Sequence, residues 1–460
     1  MRYLFAPIPF TGHVNPGLPI ARELVRRGHD VRWYSSPRFK RAIESTGARW
    51  IPLRQALPLD EERLSEMWPD RPSEGIAQMQ HDIKYVFVEF IRGALADLEE
   101  ELRREPADVV IADNGSAVVE AIHQKLGIPW AVYGMSVFTM SSRDTAPFGL
   151  ALQPSSTPLG RLRNKFLYWL VERVIFREAS RYNQQLRREI GLPPLRRSIF
   201  DFAKDADLYL QSGVPAFDYP RTDLPENVHF IGAPIPEPPA GWTPPSWWGQ
   251  VFPSPSRGQV SHSTPANKDL TPSGWGQVSG KRIVLVTQGT INNDFDQLIR
   301  PAIRALADEN VLVIVTTGSR NPEEVEIDPL PSNVRVERFI PYAHLMPHVD
   351  VLLTNGGFGS IQIALAHGVP VVAIGKTEEK PEIANRVNYA GVGIGLKVLI
   401  PTETQIREAV RTVLSVPAYA ARAEAMRYEL SGLDAAKIGA DLLEELAGRC
   451  DVEEALERSA

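Results

Sequence analysis

The sequence predicts an α/β protein built from two doubly wound parallel-sheet domains. Three observations lead there. The chain opens as strand, helix, strand; its composition breaks sharply near the middle; and the same α/β rhythm restarts after the break. Short apolar runs alternating with amphipathic stretches of helical length imply crossover units, and crossover units make parallel sheets. The 460 residues are long for one domain and comfortable for two.

Residues 2–9 (RYLFAPIP) read as a buried strand, and residues 10–16 (FTGHVNP) as the turn that follows it. From 16 to 27, Leu18, Ala21, Leu24 and Val25 recur at helical spacing, which predicts an amphipathic helix. Gly28-His29-Asp30 stops that helix, and residues 31–34 begin the next strand. Further strands are expected at 109–112, 130–133 and 208–211, and residues 227–232 (NVHFIG) close the first half. Residues 61–103 and 136–188 are expected to be helical. A first domain therefore covers 1–232.

Between 233 and 280 proline, glycine, serine and tryptophan dominate and no apolar periodicity survives. Gly-Gln-Val occurs at 249–251, 258–260 and 276–278, and residues 245–251 (PSWWGQV) and 272–278 (PSGWGQV) are near copies. Two readings compete, a tryptophan-rich docking segment and a tolerated, flexible surface insertion within an interdomain linker. The second is favoured, because long loops cost little thermodynamically.

At Lys281 the rhythm returns. Residues 282–286 form a strand running into Thr287-Gln288-Gly289-Thr290, and a helix follows near 297–307. Strands at 311–316, 334–336 and 351–354 come next, and the last breaks into Asn355-Gly356-Gly357-Phe358-Gly359-Ser360. A helix from about 361 to 366, Gly368-Val369-Pro370 and a strand at 371–374 complete the stretch. A glycine-rich turn at a helix N-terminus leaves backbone N–H groups uncovered and aims them, with the helix dipole, at an anion. Ser360 would add a hydroxyl donor there. The competing reading is a tight turn that needs glycine only for its backbone angles. Ligands of doubly wound sheets bind beyond the carboxyl ends of the strands, so two such domains facing each other would leave a cleft. The second domain covers 281–425, and 426–460 form a closing helical segment.

Composition narrows the function. Hydrophobic residues make up 43% and charged residues 23%, as in a globular protein in water. A net charge of −6 argues against nucleic acid as a partner. The single cysteine, Cys450, excludes a disulfide framework and fits a reducing compartment. The N-terminus enters a strand at once, without the pattern of a signal peptide, and no stretch approaches the ~20 apolar residues of a membrane span. A cytoplasmic location is expected.

Three features agree in order and spacing: Gly12-His13 after the first strand, Thr287-Gln288-Gly289-Thr290, and the 355–360 loop with Gly368-Val369-Pro370 behind it. Together they resemble the inverting, nucleotide-sugar-dependent glycosyltransferases with two Rossmann-like domains facing across a cleft, the GT-B fold. Within these the chain is similar to the large family of UDP-glucuronosyl-, plant secondary-metabolite and bacterial macrolide glycosyltransferases. The resemblance covers nearly all of the chain outside 240–280. It implies that the closing helices, about 418–430 and 434–447, return across the first domain.

The chemistry also follows from the residues. An acceptor hydroxyl is a poor nucleophile unless a base takes its proton, and histidine suits that role near neutral pH. His13 stands at a strand–helix turn, in a position that resembles the family's catalytic base. A carboxylate on the other ring nitrogen would fix the tautomer and stabilise the imidazolium. Asp113 ends a buried strand at the same sheet edge and matches the family's orienting aspartate. Taken singly, His13 reads equally well as a packing residue and Asp113 as a helix cap; as a pair they read better as catalytic.

A nucleoside diphosphate leaving group gains charge as the glycosidic bond breaks, and preorganised donors stabilise it. Candidates are Gly289, Thr290, Asn355, Gly357, Gly359 and Ser360. The sequence holds no Asp-x-Asp metal motif, so no metal and no cofactor beyond the nucleotide sugar is expected. Phe339 and Ile340 lie where relatives stack an aromatic on uracil and read its edge with the next backbone; core packing is the alternative.

Three positions depart from the family pattern. Asn355 stands where relatives usually carry histidine. Ile363 occupies the place of a ribose-binding glutamate, with Gln362 beside it as a substitute. Glu379-Lys380 stands for the acidic residue–glutamine pair that grips sugar hydroxyls. These put UDP against dTDP, and the sugar itself, in question. For the acceptor, the aromatic and methionine residues of the first half offer Phe10, Met67, Phe87, Met135 and Phe138 as an apolar pocket, with core packing the alternative for each. Basic residues from Arg161 to Arg197 could mark a membrane-facing surface, but Glu172, Glu178 and Glu189 interrupt them, so a solvated helix face is the default.

The resemblance therefore implies transfer of a hexose, glucose first, from a UDP-sugar to a hydroxyl of a small hydrophobic aglycone of phenolic, polyketide or terpenoid type, with a β-glycoside as product. A monomer or weak dimer is expected. Alternatives are a glycolipid- or carotenoid-forming enzyme at the membrane surface, a non-catalytic auxiliary protein, and a sugar-nucleotide epimerase.

Overall fold

The computed structural model describes residues 1–72, 75–236, 238, 241–252, 281–289, 294–318, 320–377 and 379–457. The chain divides into two compact units. One comprises Met1–Pro236, Thr377–Tyr389 and Glu429–Ala460; the other comprises Glu237–Lys376 and Ala390–Tyr428.

The first unit is built on strands β1 (Arg2–Phe5), β2 (Asp30–Ser35), β3 (Arg49–Pro52), β4 (Val109–Asp113), β5 (Trp130–Gly134), β6 (Leu208–Ser212) and β7 (Val228–Gly232). They form a 7-stranded sheet in the order β3-β2-β1-β4-β5-β6-β7, with every pair of strands parallel. The chain starts in the middle, winds outward one way, then returns and winds the other. The order thus reverses between β1 and β4, where Phe5 pairs with Ile111. Alternate residues serve opposite faces. Leu4, Val110, Val132 and Tyr209 join a core with helices Glu89–Arg104 and Val118–Leu126. Tyr3, Phe5, Ile111 and Tyr133 join another with helices Leu18–Arg26 and Ala435–Glu457. Burial on both faces explains why these strands read as continuous apolar runs.

The second unit holds β8 (Arg282–Thr287), β9 (Val311–Thr316), β10 (Val334–Glu337), β11 (Val351–Thr354), β12 (Val371–Ile374) and β13 (Gly393–Leu396). Its 6-stranded parallel sheet runs β10-β9-β8-β11-β12-β13, reversing between β8 and β11. Val284, Val286, Val313, Val315 and Leu353 pack against Ile299, Ala302 and Ile303 of helix Ile299–Leu306. The expected pair of doubly wound sheets is therefore present.

Several local readings differ. Residues 135–157 hold no helix. Pro147 and Pro154 lack the N–H a helix needs, and Gly149 and Ala151 sit at φ 95° and 47° in the left-handed region. The helical stretch read over 61–103 is broken into Leu64–Met67, Gly75–Asp82, a wider π turn Ile83–Val88 and Glu89–Arg104. The described start of the linker, 241–252, is packed rather than loose. Trp242 stacks on His344 at 4.9 Å, Phe252 stacks on His348 at 4.3 Å, and Trp247 Nε1 donates to Glu337 at 2.6 Å. The Gly-Gln-Val copies at 258–260 and 276–278 lie outside the described residues. Residues 377–389 group with the first unit, not with the sheet that flanks them in sequence. No helix among the described residues is long and apolar enough to cross a membrane.

Candidate active site

In the first unit the reversal point brings two loops to one sheet edge. The chain leaving β1 turns through Phe10 into the short helix Thr11–Val14, which carries His13, while β4 ends on Asp113. His13 Nδ1 lies 2.6 Å from Asp113 Oδ1. The imidazole is 9% exposed and the carboxylate 0%. Asp113 is held by backbone donors: Ile8 N–H reaches Oδ2 at 2.8 Å and Gly115 N–H reaches Oδ1 at 2.7 Å. With Nδ1 engaged, Nε2 is the ring nitrogen left to take a proton. Burial alone would lower the His13 pKa, but the charge and hydrogen bond of Asp113, with Glu379 and Glu61 farther off, raise it above the ordinary value.

Supporting residues were not legible as site residues in the sequence. The helix Thr11–Val14 is pinned at its start by Glu61, which accepts from Thr11 N–H at 2.9 Å and from the Thr11 hydroxyl. Tyr133 donates its hydroxyl to the His13 carbonyl at 2.6 Å. A Cβ on Gly115 would come within 2.8 Å of Asp113 Oδ1 and 3.0 Å of His13 Cε1, so glycine there leaves the dyad its room. Sequence spacing offers no signal for Glu61, 50 residues from its partner.

Of the expected acceptor residues, Phe10 and Phe87 flank the imidazole, with ring centroids 5.7 and 6.0 Å from it. Met67 packs partly buried against the core of the first unit. Met135 follows β5 and is half-buried, its N–H donating to Asn114 at 3.3 Å. Phe138 is fully packed, edge-on to Tyr209 at 5.6 Å and beneath the Arg221 guanidinium at 4.5 Å. It lines a cavity with Met140, Phe148, Tyr219 and Arg386; it does not sit beside His13 in any ring contact.

The second unit repeats the arrangement at its own reversal point. The loop after β8 carries Gln288 and Gly289, and the loop after β11 carries Asn355, Gly356 and Gly357. The Asn355 amide donates to the Gln288 carbonyl and ties the two loops together. Gly289 and Gly356 take φ 77° and 88°, conformations that glycine enters freely. The helix begins at Phe358, earlier than expected, with Gly357 as its N-cap. The N–H groups of Phe358, Gly359 and Ser360 therefore lie in the first turn, where a helix has no internal acceptor for them. The Ser360 hydroxyl donates to Gly357 O at 2.9 Å. Gln362 is 1% exposed and neither of its amide atoms has a partner among the described residues; Ile363 beside it is buried. Phe339 stands 53% exposed after β10, whereas Ile340 is buried, backbone included. Thr290 lies outside the described residues.

Residues 377–389 carry the Glu379-Lys380 pair into the first unit. Lys380 is buried with Nζ 3.5 Å from the Thr377 hydroxyl. Helix Lys380–Ala390 is clamped from below. Glu382 Oε1 accepts from Gly149 N–H at 3.0 Å and Ala151 N–H at 2.6 Å. Arg386 donates to Asp218 and to Glu382, both at 2.9 Å, and lies over the Tyr219 ring at 4.1 Å. Burial would raise the Asp218 pKa, but the Arg386 and Arg221 guanidinium groups hold it below the usual carboxylate range. Among the described residues no group of three or more His, Cys, Asp or Glu side chains is arranged to hold a metal.

Residues 302–443 match the family described as "Erythromycin biosynthesis protein CIII-like, C-terminal domain". The chain is 42% identical over 447 residues to 4'-demethylrebeccamycin synthase of Lentzea aerocolonigenes, a match covering 97% of this chain and 99% of that protein. It is 30% identical over 447 residues to UDP-glucosyltransferase 1 of Beauveria bassiana, covering 92% of this chain and 90% of the relative. Among solved structures, the calicheamicin glycosyltransferase CalG4 matches with a TM-score of 0.69 at 22% identity, covering 97% of this chain and 98% of the other. At that identity the likeness concerns the fold alone.

Proposed function

Because the chain belongs to the UDP-glycosyltransferase and macrolide glycosyltransferase family of GT-B enzymes, we propose that it is an inverting O-glycosyltransferase of natural-product aglycones. In this reading His13 Nε2 takes the proton of an acceptor hydroxyl as its oxygen attacks the anomeric carbon. The bond to the nucleoside diphosphate breaks in the same step, and an α-linked donor yields a β-glycoside. Asp113 keeps the imidazole in the tautomer with a bare Nε2 and stabilises the imidazolium that forms.

The donor side rests on the second unit. First-turn N–H groups at Phe358, Gly359 and Ser360, with the Asn355 amide, supply hydrogen-bond donors for the diphosphate as it gains charge. A single asparagine carries no charge, so most of the stabilisation in this reading is dipolar. Glu379 accepts from hydroxyls of the sugar. Glucose carried on UDP is the preferred donor, with dTDP-sugars as the nearest competitor. The acceptor is a flat or flexible apolar molecule whose hydroxyl lies against Phe10 and Phe87.

The observation that carries this reading is the 2.6 Å contact between two buried residues, His13 and Asp113, at the sheet's reversal point. The test is a turnover assay of His13→Ala with UDP-glucose and a panel of phenolic and polyketide acceptors. Loss of a general base costs about 10²–10⁴-fold in rate; a variant as active as the native chain would sink the mechanism. Turnover that survives exhaustive chelation supports the expected metal independence, and turnover abolished by it overturns that part.

A further inference from the structure

Helix Pro158–Leu170 is turned the opposite way from an ordinary surface helix. Leu159, Leu162, Phe166 and Trp169 succeed one another three and four residues apart, on one face, and are 80%, 63%, 56% and 55% exposed. Phe166 and Trp169 stack on each other at 5.9 Å. The side facing the first unit is small and polar. Gly160 and Asn164 are buried, Asn164 Nδ2 donates to Arg143 O at 3.0 Å, and Arg161 pairs with Asp144 at 2.9 Å. Single exposed leucines are ordinary, whereas a contiguous apolar row marks a surface that meets something else. The solvated polar face expected for this stretch is not what the helix presents.

Charge narrows the occupant. The helix holds Arg161, Arg163 and Lys165 and no acidic residue, in a chain whose net charge is −6. At 3.6 residues per turn, Lys165 falls on one flank of the apolar row and Arg163 on the other, and Arg173 follows in the next turn. All three are exposed, and among the described residues none of them is in an ion pair. Leucine, phenylalanine and tryptophan between cations outside any ion pair, Arg163 donating to Gln153 O at 3.1 Å and Asn164 Oδ1 at 2.9 Å, match one surface in particular. The rings and branched side chains enter the acyl boundary of a bilayer while the cationic heads reach its phosphates.

We propose that helix Pro158–Leu170 docks the first unit on a lipid surface bearing anionic head groups, a place where hydrophobic acceptors also accumulate. This goes beyond the transfer reaction and is read without substrate. The full chain is sedimented with vesicles of phosphatidylcholine alone and with vesicles containing phosphatidylglycerol, at low and high salt. The native chain is expected to sediment with the anionic vesicles and to be released by salt. The bound fraction should fall at least tenfold in Phe166→Ser/Trp169→Ser and in Lys165→Glu, with the melting temperature unchanged. Absence of native binding, equal binding to phosphatidylcholine alone, or full binding by the double variant would overturn the proposal. A native dimer on size exclusion that the double variant splits, without vesicle binding, would overturn it in favour of self-association. If the double variant fails to fold, brominated lipid decides: quenching of the native tryptophan emission supports docking, and unquenched emission defeats it.

Discussion

Nδ1 of His13 and Oδ1 of Asp113 stand 2.6 Å apart although 100 residues separate them in the chain. Parallel pairing of β1 with β4 makes the meeting, because both strands end at the same edge and the helices after them diverge to opposite faces. The carboxylate has no freedom to turn away, since Ile8 N–H and Gly115 N–H hold its two oxygens.

That contact sets a pH dependence. A base works in its neutral form, and Asp113 raises the His13 pKa despite burial. The acid limb of kcat/KM should therefore fall above the ordinary histidine value of about 6.5. In Asp113→Asn the limb moves to lower pH, and the plateau rate drops about 10²-fold or more as the tautomer is lost. The stability term has the opposite sense. A raised histidine pKa contributes to folding below the unfolded value and is lost as pH rises through the folded one. Asp113→Asn should narrow the stability gap between pH 6 and 8 in urea titrations.

Gly115→Ala offers a milder perturbation. Its Cβ would approach Asp113 Oδ1 to 2.8 Å and His13 Cε1 to 3.0 Å, so the dyad must shift by several tenths of an ångström. A drop in kcat of about tenfold, equivalent to about 1.4 kcal/mol, is expected. The nucleotide-induced rise in melting temperature should be unaffected, and a variant with normal kcat would show that the dyad tolerates displacement.

The sequence was a good guide to the sheets but missed one edge strand of each. Val109-Val110-Ile111-Ala112 and Val351–Thr354 are buried on both faces and announce themselves as apolar runs. β3 and β13 are edge strands, RWIP and GIGL, where proline, arginine and glycine erase the pattern. Gly12-His13 and the 355–360 loop were legible because their chemistry is local. Glu61 and Arg386 were not, because each acts through partners 50 and 168 residues away that only the folded chain brings together. Residues 135–157 misled for a related reason. Their apolar side chains, Phe138 and Met140 among them, are buried by an irregular loop, which apolar content alone does not tell from a helix.

Nucleotide recognition is testable before any acceptor is known. A ligand at 100 times its Kd stabilises the fold by about 2.7 kcal/mol, a shift of several degrees for a unit of this size. UDP or dTDP is expected to raise the melting temperature and ADP is not. Asn355→Ala removes both the amide and its tie to Gln288, so the shift should shrink at equal nucleotide concentration. An undiminished shift would place the phosphates elsewhere.

Arg386→Ala should be costly far from the chemistry. It takes their shared guanidinium from the carboxylates of Asp218 and Glu382, 7% and 4% exposed, leaving Asp218 with Arg221 and Glu382 with the Gly149 and Ala151 N–H groups. Breaking a buried pair in this way costs about 3–5 kcal/mol, measurable by urea unfolding. Asp218 is held below the usual carboxylate range in the native chain, so its contribution is present above the unfolded value and lost as pH falls through the folded one. The deficit of the variant should accordingly narrow toward acid pH.

The placement of Thr377–Tyr389 in the first unit has a consequence for recombination between relatives. A chimera spliced once, after Pro236, would take Glu382, Asn385 and Arg386 from one parent and their seats at Gly149, Ala151, Asp218 and Tyr219 from the other. Such hybrids inherit a mismatched, buried polar lock within the first unit, whatever their compatibility in nucleotide or acceptor. Exchange of nucleotide preference between members of this family therefore calls for a discontinuous cassette, 237–376 together with 390–428, which leaves Glu379, the intervening helix and the C-terminal one with their native partners.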